Sequence, residues 1–141
     1  MIKYSALTAL LVLAVATSGF CQEDTTHKNA QMQIDQYWFV MLTKGANRIQ
    51  DSVKAAEIQK GHLANITRLY NEGKLKVAGP FGDNGDWLGI FIFDAKAAGC
   101  ASKEEVENLL KTDPAIAAGR LKYEIHEWWT SPDANFKHGK P

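Results

Sequence analysis

The chain has 141 residues, and its 16 basic side chains balance 16 acidic ones, so the formal charge is zero. Without a basic excess there is nothing to neutralise a phosphate backbone, which excludes nucleic acid as a charge-driven partner. Two cysteines, Cys21 and Cys100, cannot build a zinc site of cysteine pairs.

In chain order, residues 1–21 have the layout of a signal peptide. Lys3 and the amino terminus supply positive charge, an apolar run follows from Ala6 to Ala16, and Gly19 and Cys21 are the small residues ahead of a cleavage point. The run is too short for a spanning helix, which needs about 20 apolar residues. Cleavage before Gln22 leaves 120 residues, enough for one domain, with Cys100 as the only thiol. A cysteine after an apolar run is also the acceptor of a lipoprotein anchor, and the bulky Phe20 before Cys21 speaks against it. Only with lipidated Cys21 would the mature chain hold to a membrane. Either route predicts an exported protein, periplasmic or secreted.

Residues 22–35 are polar, without sustained periodicity, and read as a flexible leader to a domain over 36–129. "QYWFVML" at 36–42 is aromatic and β-branched, a first strand. A helix is predicted over 52–72 with Gly73 as its cap, then a strand over 75–78. "GDNGD", with its Asn84-Gly85 turn, leads to a strand over 87–94. Ser102 and Glu105 stand as a capping box for a second helix to Lys111. Strand four covers 121–129, and 130–141 reads as a flexible tail.

This β-α-β-β-α-β order suits an α+β, ferredoxin-like antiparallel sheet with strand order 4-1-3-2 and two helices on one face. Strand one is apolar on both sides, with Tyr37, Phe39 and Met41 on one and Trp38, Val40 and Leu42 on the other. Strand three repeats the pattern, whereas strand four alternates with Lys122, Glu124 and His126. Helices cover one face only, so an apolar second face predicts a homodimer packed sheet to sheet.

Strand two is interrupted by Gly79 and Pro80. On an edge strand proline gives up no ladder bond and glycine admits close approach, but the pair also punctuates chains routinely. On the first helix, His62 shares the stripe of Ile58, Ile66 and Leu69, which turns its ring toward the sheet. Such a histidine is either a hydrogen-bonded core residue or, beside a carboxylate, a general base. Asp113 is the carboxylate in question. Followed by Pro114, it is also an ideal helix N-cap. The acidic turn at Asp83, Asn84 and Asp86 lacks the spacing of a calcium loop. The scattered His27, His126 and His138 make no metal site.

"GHLANITRLYNEGKLKVAGPF", then "KEEVENLLKTDPA" and the closing "YEIHEWW", resembles the YCII-related (YciI-like) family. The resemblance spans residues 36–129. It implies a dimeric α+β, ferredoxin-like barrel fold and a small-molecule enzyme, one relative being credited with dehydrochlorinating chlorinated aromatics. It also implies a pocket with a histidine and aspartate pair, His62 and Asp113 here, with Gly79 and Pro80 lining the approach. Phe39, Phe91 or Trp87 would then enclose a small cyclic or aromatic substrate. The implied chemistry is acid/base elimination, lactone opening or isomerisation without metal or cofactor. A non-catalytic binding or structural dimer is the competing expectation. Ala115 stands where the family carries a bulky residue, which predicts a differently shaped pocket.

Overall fold

The computed structural model describes residues 33–48, 51–83 and 85–131. The expected signal peptide, most of the leader, the tail from 132 onward and Asn84 lie outside the described residues.

The elements are β1 (Asp35–Lys44), α1 (Ser52–Asn71), β2 (Leu75–Pro80), β3 (Trp87–Asp94), α2 (Lys103–Lys111), α3 (Pro114–Ala117) and β4 (Leu121–Thr130). They form a four-stranded sheet in the order β2-β3-β1-β4 with every neighbouring pair antiparallel. This is the ferredoxin-like α+β arrangement, and the two strands apolar on both sides are the central ones. Two details differ from the sequence reading. A four-residue helix, α3, is inserted before β4. β2 also continues through Gly79 and Pro80, which pair with Ile90 and Gly89. Gly-Pro does not end the strand because β2 is an edge, where one row of backbone donors is unused.

Local chemistry sets the helix ends. Asp51 caps α1 by accepting from the Lys54 amide at 2.8 Å. At the other end Gly73, at φ 72°, closes a Schellman motif: its amide donates to Tyr70 and the Lys74 amide donates to Leu69. At α2 the Ser102 hydroxyl accepts from the Glu105 amide, while the Glu105 carboxylate reaches back to the Ala101 amide at 2.6 Å.

The two-residue period of the strands then sorts the side chains. Trp38, Val40 and Leu42 join Phe91, Phe93, Leu75 and Ile125 under Leu69 of α1 and Val106 and Leu110 of α2. The other face carries Tyr37, Phe39, Met41 and Trp128, with Trp128 tilted against Tyr37 and edge-on to Phe39. Cys100 is fully buried, its carbonyl accepts from the Trp38 indole at 2.7 Å, and burial pushes its thiol up to about 11. That thiol stays protonated and unreactive near neutral pH.

Candidate functional site

The buried residues of α1 are Ile58, His62, Asn65 and Leu69, at spacings of four, three and four, so they form one stripe. Two apolar residues anchor the stripe and two polar ones interrupt it, which requires partners inside the fold. Those partners come from the loop before α3. Gly61 lets the two helices meet: a Cβ there would stand 2.8 Å from Cγ of Pro114.

Asp113 is the N-cap of α3, with Pro114 in the first turn. Its Oδ1 accepts from the Ala115 amide at 2.8 Å and the Ile116 amide at 3.4 Å. The same carboxylate accepts from His62 Nδ1 at both oxygens, at 3.0 Å to Oδ1 and 2.8 Å to Oδ2, and Asn65 Nδ2 donates to Oδ2 at 3.1 Å. Cap and pair are therefore one arrangement. Asp113 is 0% exposed. Burial pushes its carboxyl up, but the His62 hydrogen bond and charge, with Asn65 and the Ala115 amide, outweigh burial and hold it below the usual carboxylate value.

An ionised Asp113 accepts only, so His62 Nδ1 carries the hydrogen and Nε2 is the basic nitrogen. No described residue bonds Nε2. Every buried side-chain nitrogen or oxygen among the described residues has a partner, so Nε2 is the atom that reaches open space.

A further layer fixes Asn65. Arg68 Nη2 donates to Asn65 Oδ1 at 2.8 Å and to the Thr112 hydroxyl at 3.2 Å, which leaves the Asn65 amide nitrogen for Asp113. Arg68 is itself held by Glu72 at 2.7 Å, and Glu72 by Lys74 at 2.6 Å. Those two cations hold the Glu72 carboxyl below its usual range.

His62 opens onto a cavity of about 390 Å³, within the roughly 300–1,000 Å³ of small-ligand sites. One wall is α1, through Gln59, His62, Leu63 and Ile66. A second is the paired backbone of β2 and β3 with the Phe91 ring, which lies 6.0 Å from the His62 ring at 27°. The strands approach closely there, since a Cβ on Gly89 would stand 2.5 Å from the Gly79 carbonyl oxygen. The third wall brings Arg48, Ala115 and Arg120.

Of the residues singled out in the sequence, His62, Asp113, Gly79, Pro80 and Phe91 thus meet at one place. Phe39 and Trp87 do not. Phe39 follows the alternation of β1 onto the helix-free face, where it meets Trp128. Trp87 is 61% exposed beside Phe81, because the register shift between Leu42 and Thr43 takes it out of the alternation of β3. Close approach belongs to Gly89 rather than Gly79, around which nothing lies within 4 Å of a Cβ position.

Sequence reasoning passed over Asn65, Arg48, Arg120, Gly61 and Gly89. Asn65 carried a signal, a polar residue one turn beyond His62 on an apolar stripe. The arginines carried none, because their meeting depends on two loops distant in the chain. Among the described residues no three histidine, cysteine or carboxylate side chains converge as a metal site would require.

Against known proteins, the YCII-related domain profile matches residues 38–129. Over 92 residues the chain is 30% identical to the Bacillus subtilis (strain 168) protein described as "Uncharacterized protein YjpA", covering 65% of this chain and 94% of that one. Among solved structures it is similar to 5-chloro-2-hydroxyhydroquinone dehydrochlorinase (TftG) from Burkholderia phenoliruptrix AC1100, in complex with 2,5-dihydroxybenzoquinone. That likeness has 24% identity and a TM-score of 0.43, over 72% of this chain and 95% of the other. With well over half of its length under the family profile, the chain belongs to the YCII-related domain family.

Proposed function

We propose that His62 and Asp113 are the proton-transfer centre of a small-molecule enzyme. The observation that carries this reading is the division of labour within one imidazole. Nδ1 is locked onto a buried carboxylate, and the ring lines a cavity with Nε2 left unbonded by any described residue. Neutral His62 takes a proton from a substrate C–H or O–H through Nε2, Asp113 stabilises the imidazolium so formed, and the proton returns to the leaving group or to a second position on the substrate. Elimination, isomerisation and the opening of a lactone by elimination of its ring carboxylate all fit that cycle, and such transfer is worth roughly 10²–10⁴-fold in rate. Phe91 and the aliphatic walls exclude water from a cyclic or aromatic substrate.

The test is a panel of small lactones, enolisable cyclic ketones and halogenated phenols, followed for turnover and for solvent deuterium uptake. His62→Gln should lose about 10²-fold or more in rate with substrate affinity kept. Turnover unchanged in that variant would end the proposal, and a ligand held without exchange or turnover would make the protein a binding module.

Two wider expectations enter the same proposal. Residues 1–21 direct export, supported by the charge, apolar run and small residues quoted above. A homodimer forms through the face of Tyr37, Phe39, Met41 and Trp128, supported by four large side chains on a face that no described helix covers.

A further inference from the structure

Resting on that reading of the cavity, we propose that its substrate is a small organic anion, a carboxylate on a ring-sized apolar body, with Arg48 as the principal holder of the carboxylate and Arg120 adding charge beside it. Both arginines line the cavity that His62 lines, and among the described residues no aspartate or glutamate does. Asp113, the one carboxylate beside the site among the described residues, is fully buried and bonded to His62 and Asn65. The charge that the cavity presents beside His62 is therefore cationic, from Arg48 above all, in a chain whose formal charge is zero.

The third wall is built rather than incidental. The Gly45 amide donates to the Arg120 carbonyl at 2.9 Å and the Asn47 amide to the Gly119 carbonyl at 3.0 Å. Gly119, at φ 69°, turns the chain out of α3 so that Arg120 follows directly. Gly45 has no room for a side chain, since its Cβ would run into the Gly119–Arg120 backbone. Arg48 Nη1 donates to the Arg120 carbonyl at 3.1 Å, which ties the guanidinium to this wall, and among the described residues no anion pairs with it. A guanidinium has five N–H donors in a planar fork, and a carboxylate matches two of them at once. The rest of the lining, with Leu42, Leu63, Ile66, Leu88, Phe91 and Leu121, suits an apolar body and gives no counterpart to a bare inorganic ion.

The experiment is calorimetric and NMR titration of the full chain with benzoate, benzamide, benzylammonium and inorganic phosphate. Benzoate should shift the amides of Gly79, Gly89 and Ala115 and bind about tenfold or more tightly than benzamide, with added salt weakening it. Benzylammonium and phosphate should leave those amides unmoved. Arg48→Gln should bring benzoate down to the level of benzamide. Arg48→Lys, which keeps the charge and loses the fork, should fall between, and it serves if the glutamine variant does not fold. Equal affinity for benzoate and benzamide, shifts confined to residues outside the cavity, or no benzoate binding at millimolar concentration would each overturn the inference. Failure here is separable from failure of the proton-transfer reading. A neutral lactone turned over in a His62-dependent way, with benzoate excluded, keeps the enzyme and removes the anion site. Benzoate held by Arg48, with no His62-dependent exchange on any probe, does the reverse.

Discussion

Asp113 does two jobs that usually fall to separate residues, and both depend on its charge. Removing the carboxylate in Asp113→Ala strips the cap from α3, worth about 1 kcal/mol, and leaves the His62 and Asn65 donors without an acceptor, at about 1–3 kcal/mol each where water does not enter. A lower urea midpoint at unchanged slope is the expected reading, and a midpoint equal to wild type would mean that water replaces the network. The pH dependence has a definite sign. The folded carboxyl lies below its ordinary value, so the unfolded chain takes up the proton first. The stabilisation is present above the unfolded value of about 3.9 and is lost as pH falls through the lower folded value. Asp113→Asn should flatten the fall of stability on acidification, measured as urea midpoints at descending pH. Ala115 lines the cavity and is only 4% exposed. Ala115→Leu should cut binding of ring probes while adding no more than the roughly 1–3 kcal/mol of an overpacked core.

Between elements, the site is set by two places where backbones come close. Helix α1 meets the start of α3 at Gly61, and without that approach His62 would not span to Asp113. Strands β2 and β3 meet at Gly79 and Gly89, which leaves bare backbone in the wall beside Phe91 at those two positions. The two glycines of the second contact are not equivalent. A methyl on Gly89 presses on the Gly79 carbonyl oxygen and on Pro80 Cα, which are backbone atoms that cannot swing aside. Gly89→Ala should destabilise by about 1–3 kcal/mol or more. Gly79→Ala meets open space and should stay within about 0.5 kcal/mol. Thermal unfolding of the two variants side by side checks the contrast, and equal melting points would show that the strands do not approach as described.

At the scale of the whole molecule, the sheet divides the protein into a face packed under helices and a face carrying Tyr37, Phe39, Met41 and Trp128. A charge introduced at Phe39 is remote from His62, on the other side of the sheet. Phe39→Lys should therefore shift the sedimentation coefficient from dimer to monomer while leaving the His62 environment intact by NMR. Unchanged sedimentation would remove that face as the interface. Export is checked by intact mass: a mature chain beginning at Gln22 fits cleavage, one beginning at a lipid-modified Cys21 fits anchoring, and one retaining Met1 excludes both.

The order of elements apart from α3 could be read from the sequence because its causes are local: the aromatic and β-branched runs of β1 and β3, the stripe on α1, Gly73 after it, and Ser102 before α2. Strand order followed from the usual ferredoxin-like arrangement, with which the two strands apolar on both sides agree as the central pair. His62 and Asp113 were visible for the same reason, one by its place on a stripe and the other by its cap. What tertiary structure alone decided is which groups converge. It placed Phe39 across the sheet, turned Trp87 out through a register shift, and made Gly89 rather than Gly79 the crowded residue. It also carried Arg48 and Arg120 to one wall from loops 72 positions apart. Periodicity reports the direction of a side chain from its own element, whereas a pocket is made by distances between elements, and those arise only when the core closes.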